Sequence, residues 1–227
     1  DLARAFGVPM PTVYRYLSLL RELDIIEDAT ASQVQLTPRV MGLARAAMVV
    51  QDAVDVASPH VHQLAAQVGE SVMLTRQAGG VAVCLLSIPS SHALRLDFPV
   101  GHTFVFGAGA TTRALLAIMD PAERTQRIAA LPPQVRPTDE ALELIAQQGY
   151  ALSQQEIEPG VWACAAGLAL DGQPPMTITI AGPLFRLDDD ARQKLIDAAM
   201  VCVRRITDSW AEGITSAEKP SKLKGTA

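Results

Sequence analysis

The apolar positions of the first 37 residues predict two short helices followed by a hairpin. Apolar residues recur at helical spacing over 2–6, Gly7 and Pro9 break the pattern, and a second helical run begins at Pro11. Two short runs with apolar residues, 25–27 and 34–36, then flank a polar stretch, as the strands of a hairpin do.

Three residues in this region have the spacing expected of a helix-turn-helix. Ala3 is small enough for two helices to approach, Gly7 supplies a left-handed turn, and the branched Val13 fills the angle between the helices. We therefore predict a winged helix-turn-helix domain over residues 1–37, with a plain helical hairpin as the alternative. Because the chain begins at Asp1, without Met and inside a predicted helix, we also expect an N-terminal piece to be missing.

A linker helix is predicted next, over residues 38–57. Thr37 and Pro38 form a favourable helix start, and an apolar stripe runs from Val40 to Val50. An ordinary core helix of a single domain would carry the same stripe, so that alternative stays open.

The pattern over residues 58–212 predicts a mixed domain of helices and strands. Ser58 and Pro59 indicate a helix start, and Gly69 ends that helix. Strands are predicted over 71–77, 81–88, 103–106, 150–155, 161–170 and 176–181, and helices from Thr112, Asp120, Thr138 and Asp188. Helices on one side of a mainly antiparallel sheet make an α+β domain, and residues 213–227 form a disordered tail.

Composition excludes several classes of protein. Hydrophobic residues make up 49% of the 227 residues and charged residues 19%, which excludes a disordered chain. No unbroken apolar run approaches the roughly 20 residues of a membrane span, so we expect no membrane partner. Three cysteines without CxxC spacing indicate free thiols in a reducing compartment, and therefore a cytoplasmic protein.

Charge alone gives a weak indication of nucleic-acid binding. The net charge is −5, and five arginines balance five acids over residues 1–45. The second predicted helix is different, because residues 9–21 contain Arg15 and Arg21 and no acid. Two copies of such a helix in a dimer would double the phosphate contacts.

No pattern of catalytic or metal-binding residues stands out. The four histidines are scattered without metal-ligand spacing, so we expect neither a metal nor a cofactor. Glu156 with Cys164 is the best enzymatic alternative, although Cys164 lies in a predicted strand, where a buried apolar role is more common. The glycine-rich stretch 107–112 leads into a helix whose N-terminus could bind a carboxylate or phosphate. An equally weighted alternative is a tight turn that needs glycine only for its backbone geometry.

Five sequence runs, taken in order, resemble the IclR-type family of transcriptional regulators. VPMPTVYRYLSLLRELDIIE is similar to the helix-turn-helix of that family. PHVHQLAAQVGESVMLT, GAGATTRALLA, GYALSQQEIEPGVWACAA and TITIAGP are similar to its effector-binding domain. The resemblance covers nearly all of residues 1–212.

The resemblance implies a GAF-like ligand domain behind a linker helix, in homodimers or tetramers on palindromic operator DNA. The recognition helix would enter the major groove, which makes Pro11, Thr12, Tyr14, Arg15 and Arg21 the expected DNA contacts. Packing is the alternative role for Tyr14 and Tyr16, one of which we expect to be partly buried. Pro11 replaces a serine that is usual in the family, which removes one phosphate contact.

The resemblance also places an effector pocket between the glycine-rich turn and the last strands. Its expected wall consists of Phe104, Gly109, Ala110, Thr111, Ser153, Ala163, Thr179 and Ala181. Ser153 stands where the family commonly has an acidic residue. Of the two hydroxyls that hold the ligand carboxylate near the final strand in such sensors, Thr179 supplies one, and Ala181 replaces the other. We therefore expect a less polar pocket and a larger, aromatic carboxylate as effector.

The resulting hypothesis is a DNA-binding regulator, repressor or activator, whose operator affinity depends on a small organic acid. Coupling would pass through the linker helix, and prolines placed over residues 40–50 should uncouple ligand from DNA. A ligand-independent dimeric DNA-binding protein is the first alternative, and an enzyme using Glu156 and Cys164 is the second.

Overall fold

The computed structural model of the protein describes residues 2–30, 33–42 and 51–217. The chain divides into two compact units, residues 1–51 and 52–227. Each unit has its own buried side chains.

The N-terminal unit is a winged helix-turn-helix, as the sequence predicts. Helices α1 (Leu2–Phe6) and α2 (Met10–Glu22) precede an antiparallel hairpin of strands β1 (Ile26–Thr30) and β2 (Gln33–Leu36). Gly7 has a φ of 62°, the left-handed conformation that the turn between the helices requires. Val13 is 8% exposed, consistent with its predicted place between the helices.

The predicted linker helix falls partly on described residues. Residues 39–42 are helical, residues 43–50 lie outside the described part of the chain, and helix α3 runs over Gln51–Val68. The prediction of a helix start at Ser58 and Pro59 is wrong, because α3 continues through Pro59. Its buried face of Ala53, Ala57, Val61 and Leu64 spans the proline, so packing outweighs the local start signal.

The C-terminal unit is built on a six-stranded antiparallel sheet of order β5-β4-β3-β8-β7-β6. The strands are β3 (Ser71–Ala78), β4 (Val81–Ile88), β5 (Thr103–Val105), β6 (Tyr150–Gln154), β7 (Val161–Leu168) and β8 (Met176–Pro183). β3 and β4 form the hairpin predicted at Gly79 and Gly80. Strand β8 lies inside the sheet and every one of its residues is buried.

Helices cover both faces of this sheet, which corrects the expectation of a one-sided cover. On one face, Thr111 of helix α4 (Gly109–Ile118) contacts Thr179 of β8. The long C-terminal helix α7 (Asp189–Ala217) lies against Trp162, which precedes Ala163 on β7 and therefore points to the opposite face. The sequence pattern does not show which face of the sheet each helix covers, because an amphipathic pattern shows only that one side of the helix is buried.

Helix α4 is the centre of the core on its face of the sheet. Eight of its ten residues are buried, and the apolar ones among them pack with Phe106, Leu142, Ile145 and Ala165. The glycine-rich turn before it is required sterically. A Cβ on Gly107 would lie 2.8 Å from Val135, and its φ is 112°.

The remaining helices begin close to where the sequence predicts. They are α5 (Pro121–Ala130), α6 (Asp139–Gln148) and α7 (Asp189–Ala217). The Asp120 carboxylate accepts hydrogen bonds from the N–H groups of Ala122 and Glu123, so it caps α5. The prediction of disorder from residue 213 is wrong up to Ala217, where α7 ends, and residues 218–227 lie outside the described part.

Candidate functional site

Helix α2 presents the residues predicted to contact DNA. Pro11, Tyr14 and Arg15 are exposed, whereas Thr12 and Arg21 are half-buried. Tyr14 is 60% exposed and Tyr16 53%, so the expectation that one of them is partly buried is wrong. Val13 is the buried residue of helix α2, and more than half of each tyrosine side chain stays exposed.

The two arginines of this helix have different surroundings. Arg21 forms an ion pair with Asp28 of strand β1, with Nη2 2.6 Å from Oδ1, and so ties the helix to the hairpin. Arg15 stacks on the Tyr16 ring, 5.4 Å from its centroid, and has no carboxylate partner in the described part of the chain. Arg15 is therefore the cation of α2 that is available to a phosphate.

All eight residues predicted to line an effector pocket surround one cavity of the C-terminal unit. They are Phe104, Gly109, Ala110, Thr111, Ser153, Ala163, Thr179 and Ala181. The sheet register explains this convergence, because Ala163 pairs with Ala181 and Ser153 pairs with Ala163. Side chains of such directly paired residues lie on the same face, here the face that α4 covers.

The cavity is small and mainly apolar. The centre of a water molecule can occupy about 50 Å³ of it, several times the space that one water needs. The hydroxyls of Thr111 and Thr179 lie 3.0 Å apart and form a buried polar pair in its wall. Most of the surface that a guest meets in this cavity is therefore apolar, and the hydroxyl pair is one of its few polar features.

The loop over residues 89–102 covers one side of the cavity. Leu96 and Phe98 point into it, and the Phe98 ring lies 5.3 Å from that of Phe104, centroid to centroid. His102 completes the ring cluster at 4.7 Å from Phe104. The rings of Phe98 and Phe104, which line the cavity, form an aromatic wall for a flat guest.

An ion pair with a buried carboxylate anchors this loop beside the sheet. Arg186 binds the Glu70 carboxylate with both Nε and Nη2, at 2.6 and 2.7 Å, and donates from Nη1 to the Leu94 carbonyl at 3.0 Å. Glu70 is 5% exposed on its side chain. Hydrogen bonding to Glu70 raises the pKa of Arg186, so this cation stays charged. Ser71 adds a bond from its hydroxyl to the Leu96 carbonyl.

The N-terminus of α4 already holds a carboxylate. Ala108 precedes the helix and has no side-chain oxygen to cap it, and the Gly109 N–H donates to Glu156 Oε2 at 3.2 Å. Glu156 Oε1 accepts from Arg113 Nη2 at 2.7 Å, and Arg113 also donates to the Leu152 carbonyl. The Gly109 position is tight, since a Cβ there would lie 3.0 Å from Ile157.

The residues of the enzymatic alternative are not brought together. Cys164 follows Ala163 on β7, so its side chain lies on the sheet face away from the cavity that Glu156 lines. Burial raises the pKa of the Cys164 thiol to about 12, which disfavours the nucleophilic thiolate at neutral pH. Within residues 2–30, 33–42 and 51–217, no group of three His, Cys, Asp or Glu side chains could hold a metal ion.

The sequence missed about half of the cavity wall. Met73 lies opposite Thr179 in the register of β3 and β8, so its place follows from strand pairing. Leu96, Phe98 and Ile157 come from irregular loops, where no period in the sequence indicates direction. Glu156, one residue of the enzymatic alternative, is an internal partner of the helix N-terminus.

Comparison with known proteins decides the family. Residues 45–208 match the family model described as the bacterial transcriptional regulator IclR C-terminal domain. The chain belongs to the IclR family of transcriptional regulators. As a member of this family it is a transcriptional regulator, and its C-terminal unit is the part that the family model covers.

Individual IclR-family relatives extend the similarity over both units. The HTH-type transcriptional regulator BhcR of Paracoccus denitrificans is 25% identical over 223 residues, which is 93% of this chain and 80% of that protein. The crystal structure of an IclR family regulator from Brucella abortus superposes with a TM-score of 0.76 at 24% identity, over 91% of this chain and 82% of that one. An IclR homolog from Microbacterium hydrocarbonoxydans, crystallised in complex with 4-hydroxybenzoate, has a TM-score of 0.73 at 21% identity, over 93% of this chain and 90% of that one.

Within the described ranges, no helix has both the length and the apolar character needed to cross a bilayer.

Proposed function

We propose that the protein binds operator DNA through helix α2 and that a small aromatic carboxylate in the C-terminal cavity sets its operator affinity. The observation that carries the proposal is the cavity: it gathers eight residues expected at an effector site beside an aromatic wall. A guest that fills it buries apolar surface and meets the hydroxyls of Thr111 and Thr179. The IclR homolog crystallised with 4-hydroxybenzoate supports an aromatic acid as the class of guest.

On the DNA side, we propose that Pro11, Thr12, Tyr14, Arg15 and Arg21 face the duplex. The exposure of Tyr14 and Arg15 supports this role, since neither side chain is needed for packing. Arg21 acts partly through Asp28, by holding strand β1 beside the helix. We infer that two or four copies act together, because one α2 helix offers few phosphate contacts.

The mechanism requires the guest to bind one arrangement of the regulator more tightly than another. The guest can change the free energy of DNA binding by no more than the difference between its own binding free energies for the two arrangements. The linker region is the proposed route between the units, and the ligand dependence of operator binding should disappear when prolines are placed there. Free buried thiols at Cys84, Cys164 and Cys202 support a reducing, cytoplasmic compartment.

A ligand panel tested by thermal melting, with and without operator DNA, examines the effector. A ligand that binds only the folded protein at 100 times its Kd stabilises it by about 2.7 kcal/mol and so raises the melting midpoint. Benzoate, 4-hydroxybenzoate and aliphatic acids form a suitable panel. A midpoint that no acid moves, together with unchanged operator binding, would favour the ligand-independent alternative.

Replacing Arg15 with Ala tests the DNA-binding face. We expect weaker operator binding, a salt dependence reduced by about one phosphate contact, and an unchanged melting temperature. Arg204→Ala is the matched control, because Arg204 is an exposed arginine of the C-terminal unit. Equal operator affinity of the two variants would place the DNA-binding face elsewhere.

A further inference from the structure

The anion position at the start of helix α4 is occupied by the chain itself. One oxygen of Glu156 accepts the Gly109 N–H at the start of α4, and the other binds Arg113. Gly109 and Glu156 both line the cavity, so this contact is part of its wall. The arrangement is the one that a helix N-terminus makes with a bound carboxylate.

The charges around the cavity strengthen this observation. Its described lining contains two carboxylates, Glu156 and Glu158, and neither lysine, arginine nor histidine. The neighbouring cation, Arg113, is committed to Glu156 and to the Leu152 carbonyl. A carboxylate that enters therefore meets like charge and finds the Gly109 N–H and the Arg113 Nη2 already engaged.

We propose that Glu156 is an internal competitor for the effector carboxylate, and that it thereby sets both the affinity and the selectivity of the cavity. The inference rests on the proposed function. A ligand carboxylate reaches the Gly109 N–H only when Glu156 leaves it. Displacement weakens binding of every acid, and only an acid with enough apolar surface to fill the aromatic wall of Phe98 and Phe104 compensates for it.

Selectivity follows from this competition. A small aliphatic acid such as acetate has no ring to bury, so it cannot displace Glu156. An aromatic acid offers the same carboxylate together with a ring that packs on Phe98 and Phe104. A neutral aromatic molecule does not approach the helix N-terminus as an anion, so it binds independently of Glu156.

The test compares Glu156→Gln with Glu158→Gln. Both substitutions remove one carboxylate from the cavity lining, but only Glu156 contacts the Gly109 N–H. Binding of benzoate and of its neutral analogue benzamide to the full chain is measured by titration calorimetry. We expect Glu156→Gln to bind benzoate at least about tenfold more tightly than the unaltered chain, because a charge-assisted hydrogen bond no longer has to be broken.

Three further readouts make the result specific. Benzamide affinity should stay within about twofold in both variants, and Glu158→Gln should change benzoate affinity far less than Glu156→Gln. Glu156→Ala should reproduce the gain, which guards against misfolding of one variant. In amide NMR spectra of Glu156→Gln, benzoate should shift the Gly109 signal.

The outcomes separate this inference from the proposed function. If the unaltered chain binds benzoate and Glu156→Gln binds it no better, Glu156 does not compete and the inference is wrong. Weaker benzoate binding by both Glu156 variants would make Glu156 part of the ligand's support, which also overturns it. If neither benzoate nor benzamide binds any form, the cavity is not an aromatic-ligand site, and the proposed function fails together with the inference.

Discussion

Removing the arginine from the Glu70–Arg186 pair should strongly destabilise the C-terminal unit. Arg186→Ala would leave the Glu70 carboxylate, only 5% exposed on its side chain, without its bidentate partner. Breaking a buried pair by removing one partner typically costs about 3–5 kcal/mol, because the remaining charge stays out of water. For a domain of this size, a shift of about 2–4 °C per kcal/mol predicts a melting temperature lower by roughly 6–20 °C.

Calorimetry or circular dichroism melts at neutral pH would measure this loss. Arg192→Ala is the matched control, because its partner Asp189 is 97% exposed and such a pair contributes about 1 kcal/mol at most. The double variant Glu70→Gln/Arg186→Ala should recover part of the loss, since it leaves no buried charge. Hydrogen exchange over residues 89–102 should accelerate in Arg186→Ala, which also loses the bond to the Leu94 carbonyl. An Arg186→Ala melting temperature equal to that of the control would refute the reasoning.

Further tests concern the buried thiols and the Thr111–Thr179 hydroxyl pair. Burial raises the pKa values of Cys84 and Cys202 to about 11 and of Cys164 to about 12, so all three should react slowly with a thiol reagent until the protein unfolds. The thiols of the unfolded chain release their protons near the usual pKa of 9.0, whereas those of the folded chain keep them to higher pH. The free energy of unfolding should therefore fall as pH rises from about 9 to 12. Urea midpoints that stay level over that range would contradict this. Thr179→Val should destabilise the fold by about 1–3 kcal/mol, because the buried Thr111 hydroxyl loses its partner. In denaturation curves, the double variant Thr111→Val/Thr179→Val should recover part of that loss. If the effects of the two single changes simply add, the hydroxyls do not act as a pair.

Local sequence signals located most elements and failed where packing overrode them. Gly149 ends α6 with a φ of 84°, and Asp120 and Thr138 cap the helices that they were expected to begin. Ser58 and Pro59 gave an equally clear start signal, yet α3 passes through them. A capping residue acts within one turn of backbone, whereas a continuous buried stripe gains stability from contacts along its whole length.

The candidate site shows the same division. Phe104, Ser153 and Thr179 could be grouped in advance only through resemblance, because they are distant in the chain and lie on three separate strands. Strand register then brings them to one wall. The loop residues Leu96 and Phe98 were not predicted, since an irregular segment has no period that indicates which side chains turn inward.

The sequence by itself determined the order of helices and strands, the turns that need glycine, and the family to which the chain is similar. These properties depend on local backbone preferences and on the period of apolar residues, and both can be recognised within a single short segment of the chain. Only the tertiary structure decided which sheet face α4 covers, which loop closes the cavity, and that Glu156 occupies the helix N-terminus at Gly109. Those features depend on contacts between residues far apart in the chain, and such contacts are fixed by the packing of the whole domain.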